Sequence, residues 1–97
     1  MYAVITQVRL KPGRIDDVRE VFRRKNPLLV ADEEDWVGVI FTANRKDDTV
    51  TMVAKWKNPD SYRRYAATEE YKTAMEEFAR YFRESPRVEI NEILVDM

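Results

Sequence analysis

The chain has 97 residues, 44% hydrophobic and 11% aromatic, which is the composition of one folded domain and not of a disordered segment. Its 17 basic and 18 acidic residues leave a net charge of −1, so it has no surplus of Lys and Arg with which to neutralise nucleic-acid phosphates. Cysteine and histidine are both absent, which excludes disulfides, Cys/His zinc sites, thiolate nucleophiles, imidazole bases and His-ligated haem, and no carboxylate motif suggests another metal site.

Tyr2 to Leu10 reads as a strand: Tyr2, Val4, Thr6, Val8 and Leu10 form a mostly apolar face, and Ala3, Ile5, Gln7 and Arg9 a mixed one. Lys11-Pro12-Gly13 breaks it. Arg14 to about Lys25 reads as a helix, with Ile15, Val18, Val21 and Phe22 on one stripe. Asp16 and Asp17 fall in its first turn and Arg23, Arg24 and Lys25 in its last, an order that suits the helix dipole. Asn26-Pro27 is expected to stop this helix, or to kink it before Leu28-Leu29-Val30.

An acidic loop over Asp32 to Asp35 leads to a second strand, Trp36 to Thr42, and a third follows over Thr49 to Trp56. The polar link between them, Ala43 to Asp48, is short enough for an antiparallel hairpin. Asn58-Pro59 opens a short helix, with Asn as cap and Pro at the first helical position, that runs to about Ala67. Thr68 caps the next, where Tyr71, Met75, Phe78 and Phe82 make one buried stripe that Ser85-Pro86 ends. Arg87 to Val95 reads as the last strand.

The order is βαββαβ in a single domain spanning residues 1–97. This predicts an α+β, ferredoxin-like fold: a four-stranded antiparallel sheet with its helices on one face. The second strand is apolar at both parities, with Val37, Val39 and Phe41 alternating with Trp36, Gly38 and Ile40. A strand with one face in water should alternate cleanly. The other sheet face is expected to carry Ile5, Val53 and apolar residues of the second and fourth strands, and to be covered. A second copy of the chain is the simplest cover, making the protein a homodimer with about 800 Å² buried per partner.

The longest apolar runs, such as Trp36 to Phe41, are too short to span a bilayer, and the first residues carry no basic segment or cleavage site. The expectation is a cytoplasmic protein with no membrane partner. Charged residues at 36%, one Gln and no Cys also match the composition of heat-adapted proteins.

Val8-Arg9-Leu10-Lys11-Pro12-Gly13-Arg14, then Trp56, then Ser61-Tyr62-Arg63-Arg64-Tyr65 and Thr68-Glu69-Glu70-Tyr71-Lys72 occur in an order and spacing that resembles the antibiotic biosynthesis monooxygenase-type family of dimeric α/β barrels. The resemblance covers nearly the whole chain. It implies two ferredoxin-like protomers with facing sheets, and a pocket between each sheet and its helices. It also implies oxygen chemistry of the kind its members perform, either cofactor-independent oxygenation of quinols and polyketide aromatics or haem degradation. Haem-degrading relatives use an Asn, a Trp and a His at positions that fall here on Thr6, near Tyr65 and near Met75. All three differ and no axial ligand for iron remains, so the implied activity is cofactor-independent. Quinol-oxidising relatives often carry a His just before the aromatic at Tyr71, where this chain has Glu70; at a helix start Glu70 suits the cap and dipole better than a base.

Thr6, Trp56, Tyr62, Tyr65, Tyr71 and Met75 are the candidate lining of a flat apolar pocket for a small aromatic ligand. The tyrosine hydroxyls would orient a phenol or quinol and Met75 would adapt to its shape. Arg9 and Asn91 are further candidate donors to a phenolate, depending on which way their strands face. Against this, a Tyr71–Met75–Phe78 stripe is also what an ordinary helix core looks like, and Tyr62 and Tyr65 can simply present their hydroxyls to water. Two functions follow: a monooxygenase acting on a small aromatic or quinol-type compound without a cofactor, or a non-catalytic small-molecule binding or dimerisation module. RNA recognition shares the element order, but Thr49 to Trp56 lacks the Gly-aromatic motif that such domains carry on the third strand.

Overall fold

A computed structural model describes residues 1–97. In chain order the elements are β1 (Tyr2–Arg9), α1 (Ile15–Val30), β2 (Trp36–Asn44), β3 (Thr49–Trp56), α2 (Pro59–Ala66), α3 (Glu69–Ala79) and β4 (Arg87–Glu92). The four strands form one sheet in the order β2-β3-β1-β4, every neighbouring pair antiparallel. This is the ferredoxin-like α+β arrangement, with the second helical segment broken in two at Ala67 and Thr68.

Strand parity decides the two faces. Val4, Val8, Val50 and Trp56 turn toward the helices and are buried. They meet Ile15, Val18, Val21 and Phe78 at one end of the sheet, and Val30 and Tyr65 at the other. The register pairs Val53 with both Ile40 and Ile5, so these three form a row across the opposite face. Thr42, Thr51 and Gln7 line one side of that row; Lys55 and Ala3 line the other. Ile40 is 60% exposed.

Beyond β4 the tail returns toward this outer face, where Asp96 Oδ2 meets Lys55 Nζ at 2.6 Å. The tail leaves Leu94 and Val95 exposed beside it. No helix is long and apolar enough to cross a membrane.

Four expectations are corrected. Of the two outcomes expected at Asn26-Pro27, a stop or a kink, the stop does not occur: helix α1 continues through Pro27 to Val30. An interior proline costs about 3 kcal/mol, whereas burying Val30 and half-burying Leu29 on Trp56 contributes about 2–4 kcal/mol, so tertiary packing offsets the local penalty. With five more residues in the helix, Arg23, Arg24 and Lys25 no longer sit in its last turn and their role is not with the dipole. Arg24 and Lys25 reach across to Glu77 of α3 at 3.3 and 2.8 Å, and the Lys25 hydrogen bond, then Arg24, holds that carboxyl below its usual range.

Helix α3 ends at Ala79, not at Ser85-Pro86. Phe82 reaches the core from a bridge with Leu10 instead of from a continuing helical stripe. Strand β4 ends at Glu92, three residues before Val95. Finally, the apolar residues of β4 do not join the outer face. Val88 pairs with Thr6 and Ile90 with Val4, which puts both on the helix side and leaves Arg87, Glu89 and Asn91 outside.

Two turns use special backbone. Gly13 has φ +76 after Pro12, and its amide meets the carboxylate of Asp48 at 3.3 Å. Asp48 itself has φ 57, in a conformation that Asp tolerates better than most side chains.

Candidate functional site

Between the sheet and the helices lies a partly enclosed cavity of about 90 Å³. Of its 21 lining residues 19 are hydrophobic; Thr6 on β1 and Asn26 on α1 are the others. No lining residue carries a formal charge, so the lining is apolar and of low dielectric. It is smaller than the roughly 300–1,000 Å³ pockets that enclose drug-sized ligands.

All six residues named from the sequence, Thr6, Trp56, Tyr62, Tyr65, Tyr71 and Met75, line this one cavity. Alternation on β1 and β3 aims Thr6 and Trp56 inward. On α2, Asn58 accepts from the Asp60 amide at 2.8 Å and Pro59 begins the helix, which sets Tyr62 and Tyr65 over Trp56. On α3, Thr68 Oγ1 accepts from the Tyr71 amide at 3.2 Å, which fixes the turn that carries Tyr71. The aromatic rings form a chain. Trp56 lies 5.8 Å from Tyr62, edge-on, and 5.3 Å from Tyr65; Tyr65 meets Tyr71 edge-on at 5.0 Å. Such tilted and edge contacts suit the ring quadrupoles and fix the wall's shape.

Burial pushes the Tyr65 phenol up to about 12, with Tyr62 and Glu33 adding to the effect. Burial raises Tyr71 further, helped by the Tyr62 hydroxyl and then by Tyr65. Both are therefore neutral O–H donors across the physiological range and cannot act as bases. A raised phenol pKa means that the folded state keeps a proton which the unfolded chain has already lost. The associated stability is complete below about pH 10 and disappears as the pH climbs toward 12. Tyr65→Phe is expected to spare the protein about 2–3 kcal/mol of its loss of stability between pH 10 and 12, and to change stability at pH 7 little. Urea midpoints at several alkaline pH values check this, and an unchanged alkaline slope would refute the buried-phenol reading.

Arg9 and Asn91 are not donors to this cavity. Arg9 shares the outer parity of β1 with Ile5, and Asn91 pairs with Ala3 on the same outer face. Arg9 Nε instead donates to the Asp47 carbonyl at 3.3 Å. Glu70 is exposed in the first turn of α3 and does not line the cavity. No cluster of three acidic residues is arranged to hold a metal ion.

Three features escaped the sequence reading. Asn26 and Trp36 line the cavity because α1 runs on past Pro27 and because a register shift between Trp36 and Gly38 pairs Trp36 with the inward-facing Trp56, against the parity of the rest of β2. Ser61 is the only buried polar residue; its hydroxyl donates to Asp35 and accepts from Arg64 Nη2 at 3.1 Å. The Lys57 amide also donates to the Asp35 carbonyl at 2.7 Å. Asp35 thus ties the start of β2 to α2 and locks the helix that carries Tyr62 and Tyr65. Its place in an acidic run gave no sign of this, although Ser61 directly precedes Tyr62.

Residues 1–77 match the family described as antibiotic biosynthesis monooxygenase. No curated protein matches the sequence significantly. Among solved structures, one antibiotic biosynthesis monooxygenase is 20% identical with a TM-score of 0.79, over 98% of this chain and 100% of the other. SnoaB, a cofactor-independent oxygenase from Streptomyces nogalater, is 14% identical with a TM-score of 0.83, over 99% and 95%. A conserved protein from Methanosarcina mazei Go1 is 13% identical with a TM-score of 0.78, over 92% and 88%. At these identities the likeness speaks for the fold.

Proposed function

The chain belongs to the antibiotic biosynthesis monooxygenase family, and from that premise we propose that it is a cofactor-independent monooxygenase of a small aromatic or quinol-type compound bound between sheet and helices. The observation that carries this reading is the charge-free aromatic cavity with neutral hydroxyl donors at its wall. Oxygenation without a cofactor draws its electrons from the substrate. A quinol with a free ring position and one O₂ give a hydroxyquinone and one water, with one oxygen atom entering the ring and the other leaving with two hydrogens of the substrate. The protein's part is to hold the ring flat, exclude water, and place O–H and N–H donors where the substrate oxygen becomes anionic. Thr6, Asn26 and the buried tyrosines supply such donors, and Trp56, Tyr62 and Met75 supply the flat walls.

The absence of any charged group or ordinary base in the lining favours a second reading, a binding module on the same scaffold. One experiment separates them. Trp36 and Trp56 are the only tryptophans and both line the cavity, so ligand entry is expected to quench the intrinsic fluorescence. Quenching by quinols together with stoichiometric O₂ uptake supports the enzyme. Quenching without uptake leaves the binding module, and the absence of both removes the cavity as a site.

The proposed assembly is a homodimer with the two outer sheet faces together. Ile5, Ile40 and Val53 would form the dry centre, and Thr42, Thr51, Gln7 and Lys55 the polar rim. The cytoplasm is its proposed location, which the lack of cysteine suits.

A further inference from the structure

A second, open hollow of about 620 Å³ lies against α3 and the segment leading to β4. Tyr71, Met75 and Phe82 line both this groove and the inner cavity, so these three side chains stand between the two spaces. Two of the three are held. Phe82 sits in the bridge to Leu10, and its amide donates to the Ala79 carbonyl at 3.1 Å. The Tyr71 ring is edge-packed on Tyr65 at 5.0 Å, in a turn fixed by Thr68. Met75 is unbranched, half-buried and free of polar ties, and a thioether chain changes rotamer at little cost.

We propose that Met75 is a gate whose rotation joins cavity and groove into one site, and that this site takes an elongated ligand: an aromatic ring inside and an uncharged, hydrogen-bonding arm along the groove. The proposal rests on the reading of the cavity as a ligand site.

Size argues for the joining, because the inner space alone falls short of an ordinary ligand pocket while the groove alone lies within that range. Charge argues for the character of the arm. Lys72, Glu76, Arg83 and Glu84 line the groove, two of each sign, and none of the four is ion-paired. Equal signs give no net field to attract a charged group, yet offer donors and acceptors in number to hydroxyls or amides.

The test is stopped-flow tryptophan quenching with two probes, 1,4-naphthoquinol and the same ring carrying a hydroxyethyl-amide arm. Wild type is expected to bind the armed probe at least tenfold more tightly. Glu76→Ala with Arg83→Ala, both exposed and outside the cavity, should reduce that preference to under threefold and leave the bare ring unaffected. Met75→Ala should raise the association rate of both probes at least fivefold. Met75→Ile, of similar volume but stiff at χ1, should lower it, with circular dichroism showing both variants folded. If both probes bind alike, and at one rate in all Met75 variants, the gate and the arm are wrong while the cavity reading stands. If neither probe quenches wild type, both readings are overturned.

Discussion

Trp56→Ala is expected to destabilise the protein by about 3–5 kcal/mol, a large share of the 5–15 kcal/mol that holds a domain together. The indole is 1% exposed at the end of β3. It is the shared neighbour of two sheet positions, the end of α1 and the aromatic face of α2: Val4 and Ala54 below, Val30 and Leu29 on one side, Tyr62 and Tyr65 above. Truncation therefore removes an indole's transfer energy and also leaves a void beside an existing cavity, in a region where Asp35, Ser61 and Arg64 hold α2 and prevent collapse. At about 4–8 °C per kcal/mol for a domain of this size, thermal denaturation should fall by at least roughly 12 °C. Trp56→Phe keeps a ring against Tyr65 and should lose less than half as much. A loss below about 1 kcal/mol for the alanine variant would show that the indole is not the keystone of this end of the core.

The sequence made the ring wall legible because each of its members follows from a local rule. Thr6 and Trp56 come from strand parity, Tyr62 and Tyr65 from the turn that Asn58-Pro59 starts, and Tyr71 and Met75 from the spacing after a Thr68 cap. What was hidden depended on distant partners. Pro27 predicts an end to α1 or a kink in it, and the surface that Trp56 and Tyr65 offer to Val30 decides for continuation. Asp35 and Ser61 are 26 positions apart, and neither belongs to a pattern that announces a hydrogen bond. Arg9 and Asn91 were ambiguous because a side chain's face depends on strand register, and register is set by pairing across the whole sheet. The same holds for β4: its alternation of Val88 and Ile90 with Glu89 and Asn91 was visible, but which set turned outward was not.

That correction of β4 sharpens the proposed assembly, because it removes apolar residues from the outer face and leaves a narrower one. Three aliphatic side chains in a row, Ile40, Val53 and Ile5, cross three strands, and the tail's Leu94 and Val95 lie exposed beyond them. An interface there is a small dry centre with a polar surround, so its affinity rests on few residues, the usual distribution of binding energy. Val53 is the middle of the row, on a strand with neighbours on both sides, and a two-fold axis near the sheet centre would bring it close to its own counterpart.

Val53→Lys is accordingly expected to convert the dimer to monomer, with the dissociation constant raised at least a hundredfold, which is about 2.7 kcal/mol. Two like charges would be desolvated against each other with no acid paired to position 53: its cross-strand partners are Ile5 and Ile40, Glu89 lies one strand further off beside Ile5, and Asp96 is already engaged by Lys55. On the isolated protomer the lysine faces water, so the fold should survive and circular dichroism should match wild type. Sedimentation velocity at tens of micromolar reads the outcome directly. A monomeric wild type would remove the face-to-face assembly altogether. A dimer that the substitution leaves intact would place the contact elsewhere, and the aliphatic row would then need another cover.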